Sequence, residues 1–350
     1  MNSTPGSLRD IAARIDARLT AFVGAERARW TAFDPDLAVV FGELERMVVG
    51  GGKRLRPVFT YWGFVGAGGD RDDARAIDAG TAFELLHAFA LFHDDIMDGS
   101  VTRRGNTTTH EALQSEHRRR GWAGDARRFG DGAAILIGDL SFVYADMLLA
   151  GLGARGWQMW NELRVELNVG QYLDMLGSAQ NECRPERAMR ICRYKSGKYT
   201  IERPLHLGAL LADEHTTLID AYSAYGLPLG DAFQLRDDVL GVFGESSITG
   251  KPVGDDLREA KPTPLMAVAL QRANEKQRAV LQQVGSTSLS SGDIADVQQA
   301  IVDSGALSAI EATISDLRDQ AISAIGRAPI EAEVQTRLVE LAHFVTDRKV

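Results

Sequence analysis

Apolar residues recur at three- and four-residue intervals through long stretches without proline, and that spacing predicts helices. No proline falls between Pro57 and Pro185, or between Pro264 and Pro329. Leu8, Ile11, Ile15, Leu19 and Phe22 form one apolar stripe. Phe83, Leu86, Ala90 and Met97 lie on another, inside a run that is apolar on several faces, as in helices buried in the middle of a protein. Further helical patterns cover roughly 133–150, 157–181, 186–199, 215–243, 263–285, 289–303 and 306–326. No run of alternating β-branched residues and no hairpin dipeptide between such runs argues for strands. The glycine-rich patches at 50–52 and 63–69 and the arginine-rich stretch 117–128 read as loops. The pattern predicts an all-α protein, one domain over residues 1–350 with a peripheral helix over about residues 1–30. About twelve helices are expected.

Composition narrows this picture. Hydrophobic residues make up 45% and charged residues 25%, which is ordinary for a globular chain. The 39 basic and 48 acidic residues give a net charge of -9, which argues against a general nucleic-acid binder. No apolar stretch reaches the length of a membrane span, and the N-terminus lacks the basic start and apolar block of a secretory signal. Two cysteines, Cys183 and Cys192, make no disulfide framework, so a soluble cytoplasmic protein is expected.

The chemistry starts at LFHDDIMDGS, residues 91–100. Asp94 and Asp98 stack one turn apart on a helix, with Asp95 beside them. Carboxylates at a helix C-terminus meet the negative end of the macrodipole, and these follow directly on an apolar run. They need compensating positive charge, most simply a cation, and all-oxygen ligands suit Mg²⁺. FQLRDDVLGVFG at 233–244 places Asp237 and Asp238 in a second apolar helix, so two acid clusters could face each other across a cavity.

Basic residues accompany both clusters. Lys53, Arg54 and Arg56 follow a triple glycine in GGKRLRP, and Arg103 and Arg104 follow the first acids. Lys195 and Lys198 lie in YKSGKYT, and Lys251 and Lys261 in GKPVGDDLREAKPTP. Cations around a Mg²⁺–carboxylate site are what a diphosphate requires. A Walker loop is absent, since no Gly-Lys pair is followed by Ser or Thr; HExxH, GxSxG and a strand-borne GxGxxG are absent too.

In order and spacing these motifs resemble the trans-isoprenyl diphosphate synthases, the head-to-tail prenyltransferases, from GGKRLRP at 51 to AKPTP at 264. The resemblance implies the isoprenoid synthase fold, a helical bundle around a deep central cavity, usually in a homodimer. It implies condensation of isopentenyl diphosphate with an allylic diphosphate (dimethylallyl, geranyl or farnesyl). Asp94 and Asp98, supported by Asp95, would ligate two Mg²⁺ ions, and Asp237, with Asp238 beside it, a third. Lys53, Arg56, His87 and Arg104 would grip isopentenyl diphosphate. Arg103, Lys195, Ser196, Lys251 and Lys261 would hold the allylic diphosphate, and Gln234 would flank the reacting carbons. Catalysis is expected to rest on Asp94, Asp98, Asp237, Lys195 and Gln234.

One position departs from the family pattern: Gly241 stands where the second motif usually ends in aspartate. Ionisation of the allylic diphosphate before condensation needs no side-chain nucleophile, which suits the missing Ser/His and Cys/His sets. Phe89, five residues before Asp94, with small Ala90 after it and an uninterrupted DDIMD, looks like the geranylgeranyl pattern, so a twenty-carbon product is expected. A farnesyl synthase, a class I terpene cyclase and a non-catalytic synthase subunit are the alternatives. Gly241 breaks the cyclase metal motif between Asp237 and Glu245, and the retained carboxylates argue against the subunit.

Overall fold

The N-terminal stripe folds as helix α1, Gly6–Phe33, which buries Leu8, Ile11, Ile15, Leu19 and Val23. At 3.6 residues per turn the stripe drifts, so Val23 takes the place expected for Phe22. Phe22 is half-buried, its ring edge-on to Tyr144. The structure is a computed structural model that describes residues 5–180, 184–244, 253–259, 261–285 and 289–348.

Helix α2 (Ala38–Val49) runs into the glycine turn at 50–52, which α3 (Leu55–Gly66) follows. The loop expected from residue 63 begins only after Gly66, because Phe64 and Val65 are buried and hold the last turn in the core. Helix α4 (Ala74–Met97) begins at Asp73, whose side chain accepts the Arg75 N–H at 2.9 Å. It is buried on nearly every side through Phe83, Leu85, Leu86, Ala88 and Phe92. Met97, expected on the apolar stripe, is 46% exposed, since the final turn leaves the core.

Two short strands, Thr102–Arg103 and Asn106–Thr107, pair antiparallel across a turn in which Arg104 and Gly105 are left-handed. Strands this short leave no alternation to read. Helix α5 (Thr109–Arg120) then takes the first residues of the expected loop at 117–128. Buried His117 packs against the rings of Trp122 and Phe129, and the basic last turn suits a helix C-terminus. Only residues 121–125 remain outside helix, because α6 (Ala126–Met147) starts at once.

Helix α7 (Ala154–Ala179) precedes α8 (Pro185–Cys192), a π-helical segment Arg193–Glu202, and α9 (Arg203–Ala212). Helix α10 (Ile219–Phe243) crosses the π segment, and helices 264–272, 275–281, 291–303, 306–325 and 332–346 follow. Apart from the hairpin of two-residue strands, the described elements are helical as expected, in more segments than twelve. The stretch 263–285 divides at Asn274, which forms a capping box with Gln277, and 186–199 divides between α8 and the π segment.

Helix α10 joins two apolar clusters. Tyr222, Tyr225 and Leu229 belong to the larger one, with α1–α4, α6, α7 and α9. Leu235, Val239 and Val242 pack with Leu265, Val297 and Ile301 of the C-terminal helices. Among the described residues no helix is long and apolar enough to cross a membrane.

Candidate active site

The first acid cluster sits where α4 ends, and the second lies within the last two turns of α10. Asp94 Oδ1 accepts from Gln171 Nε2 at 2.9 Å and Lys195 Nζ at 3.3 Å, and Arg103 reaches Oδ2 at 3.5 Å. Burial would raise this carboxyl, but Lys195, Lys261 and Arg103 outweigh it and hold it below the usual carboxylate range. Asp95 turns away: its Oδ1 takes Arg103 Nε at 2.7 Å and its buried Oδ2 has no protein partner, so burial pushes its pKa up. Asp98, at the C-terminal end of α4, faces Lys261 Nζ at 3.5 Å, and burial and the Asp94 charge raise its carboxyl.

On α10 the two aspartates also differ. Asp237 pairs with Arg348, from the C-terminal segment, at 2.5 Å. Asp238 is buried, takes Gln234 Nε2 at 2.9 Å on Oδ1 and leaves Oδ2 without a partner; burial holds it well above the usual range. The Gln234 amide is thus committed to Asp238. The missing acid at Gly241 has a spatial counterpart: a Cβ built there would stand 1.9 Å from Asp256 Oδ2. A carboxylate from the short helix Asp255–Arg258 fills the place where a side chain at 241 would begin.

The basic residues of GGKRLRP divide by burial. Arg54, left-handed at φ 49°, turns inward to Glu84, to Asp16 at 2.7 Å and to the Val48 carbonyl at 2.7 Å. Lys53 has its pKa pushed down to about 8 by burial and by Arg348, with Asp237 partly offsetting them. Arg56 lies 4.2 Å over the Tyr199 ring and donates to Thr200 Oγ1 at 3.1 Å. The Tyr199 hydroxyl and His87 Nδ1 share a hydrogen bond, and burial, Arg56, Arg104 and Arg103 hold the His87 pKa well below the usual value. That favours a neutral imidazole, which carries its proton on the other nitrogen when the Tyr199 hydroxyl is the donor. Arg104 closes this group by donating to the Gly51 carbonyl.

The second basic group comes from the π segment. A Cβ at Gly170 would stand 2.5 Å from the Lys195 amide nitrogen, and one at Gly230 would meet the Gly197 carbonyl oxygen at 2.6 Å. Only glycines let α7 and α10 approach so closely. The reward is geometric: Lys195 lies between Asp94 and Asp174, at 2.6 Å from the latter. Burial would lower its pKa, but those carboxylates raise it. Ser196 is half-buried beside it, while Lys198 points elsewhere and joins Arg203 on buried Glu166. Lys261 spans Glu259 at 2.6 Å, Asp98 at 3.5 Å and Asp256 at 4.0 Å. Lys251 lies outside the described residues.

The sequence reading overlooked Gln171, Asp174, Asp256 and Arg348. The first two could have been found, since Gln171 and Asp174 share one face of α7 directly after Gly170. Among the described residues no three acidic, histidine or cysteine side chains close on one point. The donors nonetheless fit a hard divalent ion. They are oxygens, and Lys195 and Lys261 each bridge carboxylates from different segments, as a metal ion would. Below Asp94, the Phe89 ring lies 4.8 Å from Phe142 and 4.6 Å from His93, and Ala90 is half-buried beside it.

The chain is similar to known proteins along most of its length. A geranylgeranyl pyrophosphate synthase from Corynebacterium glutamicum, complexed with isoprenyl diphosphate and magnesium, superposes with a TM-score of 0.92 at 37% identity, covering 98% of this chain and 99% of that one. The geranylfarnesyl diphosphate synthase of Aeropyrum pernix is 32% identical over 312 residues, 86% of this chain and 92% of its own. A geranylgeranyl diphosphate synthase of Mycobacterium tuberculosis is 34% identical over 229 residues, 64% of this chain and 60% of its own. The helical architecture is the isoprenoid synthase fold. The polyprenyl synthetase family model matches residues 40–303, and the chain belongs to that family.

Proposed function

We propose that the chain joins isopentenyl diphosphate head-to-tail to allylic diphosphates and releases an all-trans geranylgeranyl diphosphate. The carrying observation is the pair of acid clusters on α4 and α10, flanked by two separate basic groups. Asp94, Asp98 and Asp237 would hold Mg²⁺, about three ions, which supply positive charge to the departing diphosphate. Magnesium in the C. glutamicum relative supports that choice. Lys195 and Lys261 would turn from their carboxylates to the allylic diphosphate, joined by Arg103. Lys53, Arg56, Arg104 and the His87 ring N–H would hold isopentenyl diphosphate. The allylic C–O bond breaks with its electron pair on diphosphate, the double bond of isopentenyl diphosphate closes the new C–C bond, and a proton is lost.

The exposed apolar row Leu136, Val143 and Met147 on α6 and Val165, Val169 and Tyr172 on α7 supports a homodimer. The test is incubation with Mg²⁺, isopentenyl diphosphate and each allylic diphosphate. Linear twenty-carbon diphosphate supports the proposal, cyclised hydrocarbon points to a cyclase, and no turnover points to a non-catalytic subunit.

Two predictions follow from this geometry. Lys53→Ala or Arg56→Ala raises the KM for isopentenyl diphosphate by about tenfold and that for the allylic substrate much less, while Lys195→Ala does the reverse. Lys53 is charged below its pKa of about 8 and loses its proton above it. The wild-type KM for isopentenyl diphosphate therefore climbs between pH 7.5 and 9, and Lys53→Arg flattens the rise. Equal effects of all three alanine variants on both substrates would remove the two-site assignment.

Chain length supplies the other. Phe89 lies about 7.5 Å along α4 from Asp94, toward its N-terminus. Phe89→Ala lengthens the product and Ala90→Phe shortens it, read by chromatography of dephosphorylated products. An unchanged distribution in both variants would place the floor elsewhere.

A further inference from the structure

We infer that Arg164, anchored by Asp146, is a positioning residue that holds Phe142 in place and so fixes where chain growth stops; this rests on the elongation reading above. The Phe89 ring lies 4.8 Å from Phe142 on α6. The Arg164 guanidinium, from α7, stands 4.8 Å over the Phe142 ring and 5.6 Å over Trp160. Trp160 in turn meets the Phe83 ring edge-on at 5.2 Å. Phe83 is on α4 again, about 9 Å below Phe89 along the axis. The contacts therefore run from α4 to α6, to α7 and back to α4, beneath the place where the chain would grow.

Arg164 is the polar member of this ring, and its orientation is over-determined. Its Nη1 donates to both Asp146 oxygens at 3.0 Å, and its Nη2 to Asn161 Oδ1. Asp146 also accepts Trp160 Nε1 at 2.7 Å. The Arg164 side chain is only 14% exposed, so it depends on that carboxylate as counter-charge. A planar cation pinned at two nitrogens is attracted to the face of Phe142 and restricts that ring's rotamers. Without it, Phe142 keeps its aromatic contact with Phe89 but loses what holds its position from α7. A longer chain could then push the ring aside.

The experiment compares wild type with Arg164→Met, which keeps the side-chain volume, Arg164→Lys, which keeps the charge without the planar fork, and Asp146→Asn, which loosens the anchor. Each is supplied with farnesyl diphosphate and isopentenyl diphosphate. The ratio of twenty-five- to twenty-carbon product should rise about fivefold in Arg164→Met, equivalent to roughly 1 kcal/mol, with kcat/KM for the first condensation unchanged. Asp146→Asn should shift it in the same direction, and Arg164→Lys should fail to restore the wild-type ratio. A structural role alone would lower melting temperature and total activity at an unchanged product ratio, and that result overturns the inference. If Arg164→Met does not fold, Asp146→Asn decides by the same ratio. Wild type that makes no prenyl diphosphate would sink the underlying function; wild type that elongates normally while the variants keep its ratio would sink only the role of Arg164.

Discussion

Asp94→Asn is expected to lower turnover by about 10³-fold while leaving the helical circular dichroism and the melting temperature nearly unchanged. The substitution keeps the size of the side chain and its contact with Gln171, and Lys195 retains Asp174 as counter-charge. No buried cation is left alone, so the fold has little to lose. What disappears is one negative charge facing Lys195, Lys261 and Arg103, where Mg²⁺ and substrate diphosphate would meet. Asp237→Asn should behave alike, since Arg348 keeps its hydrogen bonds to the Val345 and Phe233 carbonyls when its carboxylate partner is neutralised. Steady-state kinetics beside thermal unfolding checks this, and near wild-type turnover in either variant would refute the metal assignment.

Arg54→Leu should have the opposite profile, a stability loss of about 3–5 kcal/mol with any surviving folded enzyme binding isopentenyl diphosphate normally. Arg54 is 4% exposed and serves Glu84, itself 7% exposed, as well as Asp16 on α1. Removing the guanidinium strands the Glu84 carboxylate in the core. Replacing both partners, Arg54→Leu with Glu84→Leu, should recover much of the loss, because an apolar pair does not pay desolvation. Urea unfolding measures the cycle. A single mutant of wild-type stability with a raised KM would instead make Arg54 a ligand.

This contrast shows what a sequence conveys. Lys53, Arg54 and Arg56 look equivalent in GGKRLRP, yet the left-handed turn at Arg54 sends it inward. The acid clusters were legible because carboxylates directly after an apolar run have few innocuous explanations. The helices were legible for the same reason, since α4 and α10 repeat apolar residues over many turns. The helical end of 117–128 was not, because its packing comes from His117, Trp122 and Phe129 rather than from an aliphatic stripe. Arg348 and Asp256 were invisible for a further reason. Their importance comes from the tertiary fold, which brings distant segments against α10.

The closeness of Asp256 to Gly241 couples those two positions. A side chain at 241 would begin where the Asp256 carboxylate lies, so Asp256 would have to turn aside to admit it. Grafting a complete DDxxD from a relative onto 237–241 would crowd two like charges beside buried Asp238. Transplanting the motif therefore calls for the Asp256 side chain to move or be shortened in the same step, and an aspartate tally within a five-residue window undercounts the acids this site contains.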